Sequence, residues 1–427
     1  VPPPPLDPSD PLERRGGPPV LPSLPSSAPA QEPRMPREVV VLVGAAFLVA
    51  VGYGLIAPVL PAYASGFGVS TTAVSVIVSA FALARLLFSP FAGRLLRRLA
   101  ERPLYLAGLL IVAASSVAIA YSPGYSGLLI ARSAGGIGSA LFTISGLALL
   151  VRVTPAALRG RASAMYATGF LLGGISGPLV GGLLATWSIR APFLGYGALL
   201  VVAAAVVQFS LRRIPNPVRD STVVPVDLRE TLRLNAFQAV LSSNFAVGWS
   251  VFGIRMALVP LFVVQVLDAG EAMAGWALTV FAIGNAAVLT VVGRWVDRVG
   301  RRRPMIIGLV VSAASLGLLG ISTQVWQLLA LCLLGGLGSG LITPAQQAVV
   351  ADVMGGRPGG SVLAVYQMTG DVGAVVGPIV AGLLVDANGF GVALGVGAAV
   401  VLATVPLWFR APETLPPRPP AQPAARP

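Results

Sequence analysis

YATGFLLGGISGPLVGGLL at 166–184 returns 200 positions further on as YQMTGDVGAVVGPIVAGLL at 366–384. Tyr166, Gly173, Gly177-Pro178 and Gly182-Leu183-Leu184 match Tyr366, Gly373, Gly377-Pro378 and Gly382-Leu383-Leu384. At the same offset Gly93 recurs as Gly293, and Gly135-Gly136-Ile137-Gly138-Ser139 as Gly335-Gly336-Leu337-Gly338-Ser339. All of these lie in or beside stretches apolar enough to sit in a bilayer. A membrane protein of two equivalent halves has room for a cavity between them. Rocking one half against the other opens that cavity to alternate sides. The repeat therefore points to a transporter.

Composition agrees. With 55% hydrophobic and 11% charged residues, the 427-residue chain is not a soluble globular protein. Every one of its 29 basic residues is arginine, and with no histidine a histidine proton relay is excluded. The single cysteine, Cys332, rules out an intramolecular disulfide and reads as a small apolar core residue. The net charge of +13 does not mark a nucleic-acid surface, because the arginines fall in alternate loops between hydrophobic segments.

Twelve segments of about 20 residues or more suffice for ~30 Å of hydrocarbon, and helix is the state that satisfies their backbone there. They lie near 39–63, 71–96, 104–121, 126–151, 161–186 and 191–211, then 237–265, 272–296, 305–322, 326–350, 361–385 and 390–409. The first is too long for a signal-peptide core. The reading divides the chain into a Pro-rich disordered tail (1–36), a six-helix bundle (37–211), a polar linker (212–236), a second bundle (237–409) and a short tail (410–427). Apart from Arg85, Arg132 and Arg255 deep within segments and Arg190 on the opposite side, every arginine falls in the tails, the linker, or the loops and segment ends on their side. Both termini are thus expected in the cytoplasm of a multi-pass cell-membrane protein.

The loop Gly293-Arg-Trp-Val-Asp297-Arg298-Val-Gly-Arg301-Arg-Arg resembles the loop motif of the major facilitator superfamily. Arg132-x-x-x-Gly136-x-Gly138 resembles its fourth-helix motif, and Gly173-x-x-x-Gly177-Pro178-x-x-Gly181-Gly182 its antiporter motif on the fifth helix. The opening Gly52-Tyr-Gly-Leu-Ile-Ala-Pro58-Val-Leu-Pro61 is similar to that of tetracycline and multidrug exporters. The resemblance covers about 39–409. It implies an all-α membrane fold, twelve transmembrane helices in two pseudo-symmetric six-helix bundles. Two departures matter. Arg97 takes the aspartate position of the first-half loop, and Val49 stands where tetracycline exporters carry a first-helix aspartate, so coupling through that acid is not expected.

By the same resemblance Asp297, held by Arg298 and Arg301, would latch onto the start of the fifth helix when the cytoplasmic side is closed. A carboxylate there is worth about 0.3–1 kcal/mol, up to ~2 when partly buried. The glycines at 169, 173, 177 and 181 form one smooth face, read either as helix packing or as a seal against proton leak. Charges in hydrocarbon cost roughly 2.5–3.5 kcal/mol each at a helix centre unless paired or wetted. Asp371 is the only acid well inside a segment, and its depth matches that of Arg85. Because the resemblance sets the second and eleventh helices face to face, an Arg85–Asp371 pair across the halves is expected. It serves as the proton-coupling site or as a static bridge. Arg132 and Arg255, with Asn285, Gln346 and Gln347, are candidates for a substrate cavity, and two lone arginines there disfavour permanently cationic molecules.

The sequence thus describes a secondary active transporter, a proton-coupled antiporter exporting small apolar or drug-like molecules. A facilitator or symporter for a metabolite and a substrate-sensing receptor are the alternatives. No catalytic constellation, cofactor motif, metal cluster or nucleotide-binding Gly-Lys-Ser/Thr loop is present, so neither an enzyme nor an ATP-driven pump is expected. The expected partners are a small-molecule substrate, protons and the lipid bilayer, without nucleic acid, and the expected state is a monomer.

Overall fold

A computed structural model describes residues 35–155, 158–211, 226–355 and 360–415. Twelve helices there are long and apolar enough to cross a membrane. Spans 1 to 6 are Arg37–Ile56, Thr71–Leu96, Glu101–Ala120, Tyr125–Val153, Arg161–Trp187 and Ala191–Ser210. Spans 7 to 12 are Asn235–Gln265, Glu271–Leu289, Arg302–Leu319, Val325–Met354, Gly360–Asn388 and Phe390–Arg410. The expected tail over 1–36, linker over 212–236 and tail from 410 fall largely outside the described residues. Within that linker Leu228–Thr231 makes one helical turn, capped where Arg229 N donates to Asp227 Oδ1 at 2.8 Å.

Packing repeats with the sequence. Span 1 lies against spans 5 and 6, span 2 against span 4, and span 3 against spans 4 and 6. In the second half span 7 lies against span 11, span 8 against span 10, and span 9 against spans 10 and 12. The halves meet along two seams, span 2 on span 11 and span 5 on span 8.

The glycine stripe of span 5 explains how closely it approaches span 1. A Cβ on Gly173 would come within 2.6 Å of Ala50 Cβ and 2.7 Å of the Phe47 carbonyl, and one on Gly177 within 2.5 Å of the Val51 carbonyl. Only glycine allows backbones this near.

A second repeat is electrostatic, and it is inverted. At the Arg-rich end Arg152 of span 4 pairs with Glu101 of span 3. At the equivalent positions Arg301, just before span 9, pairs with Asp352 of span 10 at 3.1 Å. The ion pair is kept and its polarity reversed.

Three helices differ from the unbroken segments expected. The first ends at Ile56 and restarts at Leu60, because Pro58 has no N–H to offer the preceding turn. The seventh carries a π-helix over Gly248–Arg255, and the twelfth breaks between Leu402 and Val405. Span 10 also runs on to Met354, four residues beyond the expected limit, with Gln346 and Gln347 inside it.

Candidate functional site

The hydrogen bonds and glycine contacts described between the halves lie at mid-depth or towards the end remote from the Arg-rich loops. On the span 2–span 11 seam Arg85 Nη2 donates to Asp371 Oδ1. Further from the Arg-rich end, six residues away on span 2 and four on span 11, Ser79 Oγ donates to the Val375 carbonyl at 2.8 Å. At the far end Thr71 N and Thr72 N donate to the two Asp386 carboxylate oxygens at 3.0 and 2.8 Å, and Thr72 Oγ1 donates at 2.6 Å.

The span 5–span 8 seam is closed by glycines instead. A Cβ on Gly182 would lie 3.1 Å from Gly275 Cα, and one on Gly275 would lie 2.6 Å from the Pro178 carbonyl. Between the seams Tyr53 Oη donates to Met256 Sδ at 3.5 Å.

Asp371 is 7% exposed, so its one strong partner decides whether its charge is tolerable there. The Arg85 side chain keeps 30% of its surface, and its Nε has no hydrogen-bond partner. The pair is therefore half-wet on the arginine side and dry on the carboxylate side. A proton reaching Asp371 would remove the charge that holds Arg85.

Arg132 and Arg255 have no carboxylate partner among the described residues. Each is buried, and each guanidinium carbon lies 4.3 Å from a phenylalanine centroid, Arg132 over Phe81 and Arg255 over Phe281. Phe81 and Phe281 are repeat equivalents, but the arginines are not. The position equivalent to Arg132 is Cys332, and Arg255 reaches it from span 7, Nη1 to Sγ 3.8 Å. Both halves thus place a guanidinium on the same phenylalanine, delivered by different helices. Stacking of this kind returns about 0.5–2 kcal/mol, short of the ~2.5–3.5 kcal/mol that a central charge costs.

The two differ in what lies beside them. Arg132 lines a cavity of about 10 Å³ with Tyr53, Ala57, Leu60, Val78 and Met256, room for one water. Arg255 does not line that small cavity. The i→i+5 bonding of the π-helix shifts the register, so Phe252 is 49% exposed while Arg255 turns inward.

The remaining candidates divide. Gln346 is buried and tied on both sides, Nε2 donating to Ser243 Oγ at 2.9 Å and Oε1 accepting from Tyr366 at 3.1 Å. It joins spans 7, 10 and 11. Asn285 Nδ2 donates to Ser339 Oγ at 3.3 Å within the second half, and Gln347 is exposed. Of the expected latch, Arg298 is exposed, and Arg301 bonds Asp352 and the Val296 carbonyl. The Asp297 side chain lies outside the described residues.

A groove of about 460 Å³ runs between spans 1 and 5 towards the Arg-rich end, lined by Val43, Phe47, Met165, Thr168 and Leu172, with Arg161 at its rim. Its size is in the range of small-molecule pockets. Among the described residues no cluster of His, Cys, Asp or Glu suits a metal ion.

Sequence reasoning missed Asp386, Met256 and the phenylalanine pair. The 200-residue offset carried the signal for Phe81 and Phe281, which are identical in both copies.

Comparison with known proteins agrees with this architecture. The family model described as Major Facilitator Superfamily matches residues 42–254 and again 240–427. The chain is 29% identical to the tetracycline resistance protein, class C, of Escherichia coli over 88% of this chain and 98% of that protein. It is 26% identical to the quinolone resistance protein NorA of Staphylococcus aureus (83% and 91%) and 28% identical to the multidrug efflux protein YfmO of Bacillus subtilis (78% and 82%). Among solved structures, a bacterial homolog of the human lysosomal transporter Spinster, inward-facing and unoccupied, superposes with a TM-score of 0.71 at 16% identity, covering 88% of this chain and 94% of that one. A POT family transporter superposes with a TM-score of 0.74 at 14% identity, covering 88% and 96%.

Proposed function

We propose that this chain, which belongs to the Major Facilitator Superfamily, exports small apolar or drug-like molecules across the cell membrane by proton-coupled alternating access. Three relatives named for tetracycline resistance, quinolone resistance and multidrug efflux support the export of drug-like cargo. The excess of arginine in alternate loops supports a cytoplasmic location for both termini. On that orientation the described ties between the halves, from Ser79–Val375 to Asp386–Thr72, lie on the outer side, which supports reading this as an inward-open state of the cycle.

The observation that carries the coupling is the Arg85–Asp371 pair, an intramembrane carboxylate whose partner sits on the other half. Protonation of Asp371 releases Arg85 and loosens the seam. Deprotonation restores the tie, so proton occupancy biases which side of the cavity is open. Arg132 and Arg255 add positive charge that the described residues leave unbalanced, which favours neutral or anionic cargo over permanently cationic cargo.

The test is drug efflux from proteoliposomes with an imposed pH gradient. Export should follow the gradient in the parent chain and lose its pH dependence in Asp371→Asn. Transport that equilibrates the drug with no response to the gradient would instead establish a facilitator, the reading that the missing first-helix acid favours.

A further inference from the structure

We propose that Asp386 is a gating residue of the transport cycle: its carboxylate caps the first turn of span 2 across the boundary between the halves and holds the end remote from the Arg-rich loops shut. The inference rests on the alternating-access reading, and it assigns to one side chain the closure of one side.

The geometry is that of a helix N-cap supplied in trans. A helix start leaves N–H groups without intrahelical partners. Span 2 begins after Ser70, whose own side chain accepts only from Ala73 N, at 3.2 Å. Asp386 takes Thr71 N and Thr72 N on its two oxygens, and the Thr72 hydroxyl as well. Capping normally comes from the residue beside the helix and holds whenever the helix is folded. Here it comes from the other half, so it holds only while the halves are together at this end. The cap is thereby a sensor of closure.

The other seam has no counterpart among the described residues. Asp386 corresponds in the repeat to Thr186, whose hydroxyl donates to Leu183 of its own helix at 2.8 Å. Ser79, bonded across the first seam to Val375, corresponds to Thr279, whose buried hydroxyl has no partner. The span 2–span 11 seam therefore holds polar ties from mid-depth to the surface, while the span 5–span 8 seam relies on glycine contact. The polar seam must come apart bond by bond for this end to open, and the Asp386 cap is its outermost tie.

Spin-label distances across that end test the gate. Tyr121→Cys and Thr323→Cys are exposed there, one on each half, and the native Cys332 is buried and does not compete for label. In the reconstituted full chain Asp386→Ala should raise the long-distance population about fivefold relative to the closed one, the size of a lost helix N-cap. Thr72→Val removes one of the three bonds and leaves both backbone donors, so it should give a smaller shift in the same direction. It also reads the gate if Asp386→Ala does not fold. Distance distributions unchanged from the parent in the folded variants overturn the proposal. Efflux is scored separately: a parent chain that opens and closes without exporting drug defeats the export reading and leaves the gate standing.

Discussion

Arg85 of span 2 and Asp371 of span 11 form an ion pair that is also the described contact between the halves nearest the Arg-rich end. Beyond this tie, towards the opposite end, lie the Ser79–Val375 bond and the Asp386 cap on span 2. Anything that weakens it acts on the full length of span still packed beyond it.

Removing one partner leaves a charge without compensation. Breaking a fully buried pair costs about 3–5 kcal/mol; with Arg85 still 30% exposed, roughly 2 kcal/mol is expected. Arg85→Ala should therefore lower the melting temperature in detergent, and Arg85→Asp combined with Asp371→Arg should recover most of the loss. A reversed pair no more stable than either single variant would mean that the contact contributes nothing specific.

The two stacked arginines predict equal effects in unequal surroundings. Phe81→Leu and Phe281→Leu each remove a ring lying 4.3 Å from a guanidinium carbon, at about 1 kcal/mol. Parallel losses in thermal unfolding are expected from both. A loss confined to Phe81→Leu would show that the second arginine is held by Cys332 and the backbone rather than by the ring.

Neighbouring glycines on span 5 should respond in opposite directions. A Cβ on Gly173 meets Ala50 and Phe47, and overpacking of this kind costs about 1–3 kcal/mol. A Cβ on Gly174 meets nothing within 4 Å, so Gly174→Ala should be neutral or stabilise by up to ~1 kcal/mol. Thermal unfolding and efflux of the two variants, measured side by side, check the contrast.

Glu413 gives a pH signature outside the membrane. Burial pushes its carboxyl up, but the N–H groups of Arg301, Arg302, Leu415 and Thr414 together outweigh that and hold it below its ordinary value. A depressed carboxylate stabilises fully above its unfolded pKa, about 4.3, and loses that contribution as pH falls through the lower folded value. Glu413→Gln should therefore melt below the parent at pH 7, with the gap closing under acid. A gap that persists at low pH would assign the effect to packing.

Much of this molecule was legible before any coordinates. Hydrophobic length and a repeat are local properties of the chain, so the spans and the two-half architecture could be read directly. Arg85 and Asp371 could be matched because their depths agree and the family resemblance sets the second and eleventh helices face to face. The inward direction of Arg255 is not legible in the sequence, because α-helical spacing is its only guide to side-chain direction and the π-helix over Gly248–Arg255 breaks that spacing. Asp386 escaped notice because an acid at the end of a span looks like any solvated loop residue. Its meaning comes from Thr71 and Thr72, which no sequence pattern brings to it. The break after Ile56 did leave a trace in Pro58, which was read as family resemblance rather than as a missing donor.

The reversed polarity of the pairs Glu101–Arg152 and Arg301–Asp352 limits how the two halves can be recombined. A chimera that kept span 3 but took the end of span 10 in place of span 4 would oppose Glu101 to Asp352, and the reciprocal graft would oppose Arg301 to Arg152. Transplanting a whole helical hairpin keeps each acid with its base. The exchangeable module of this protein is the hairpin rather than the single helix.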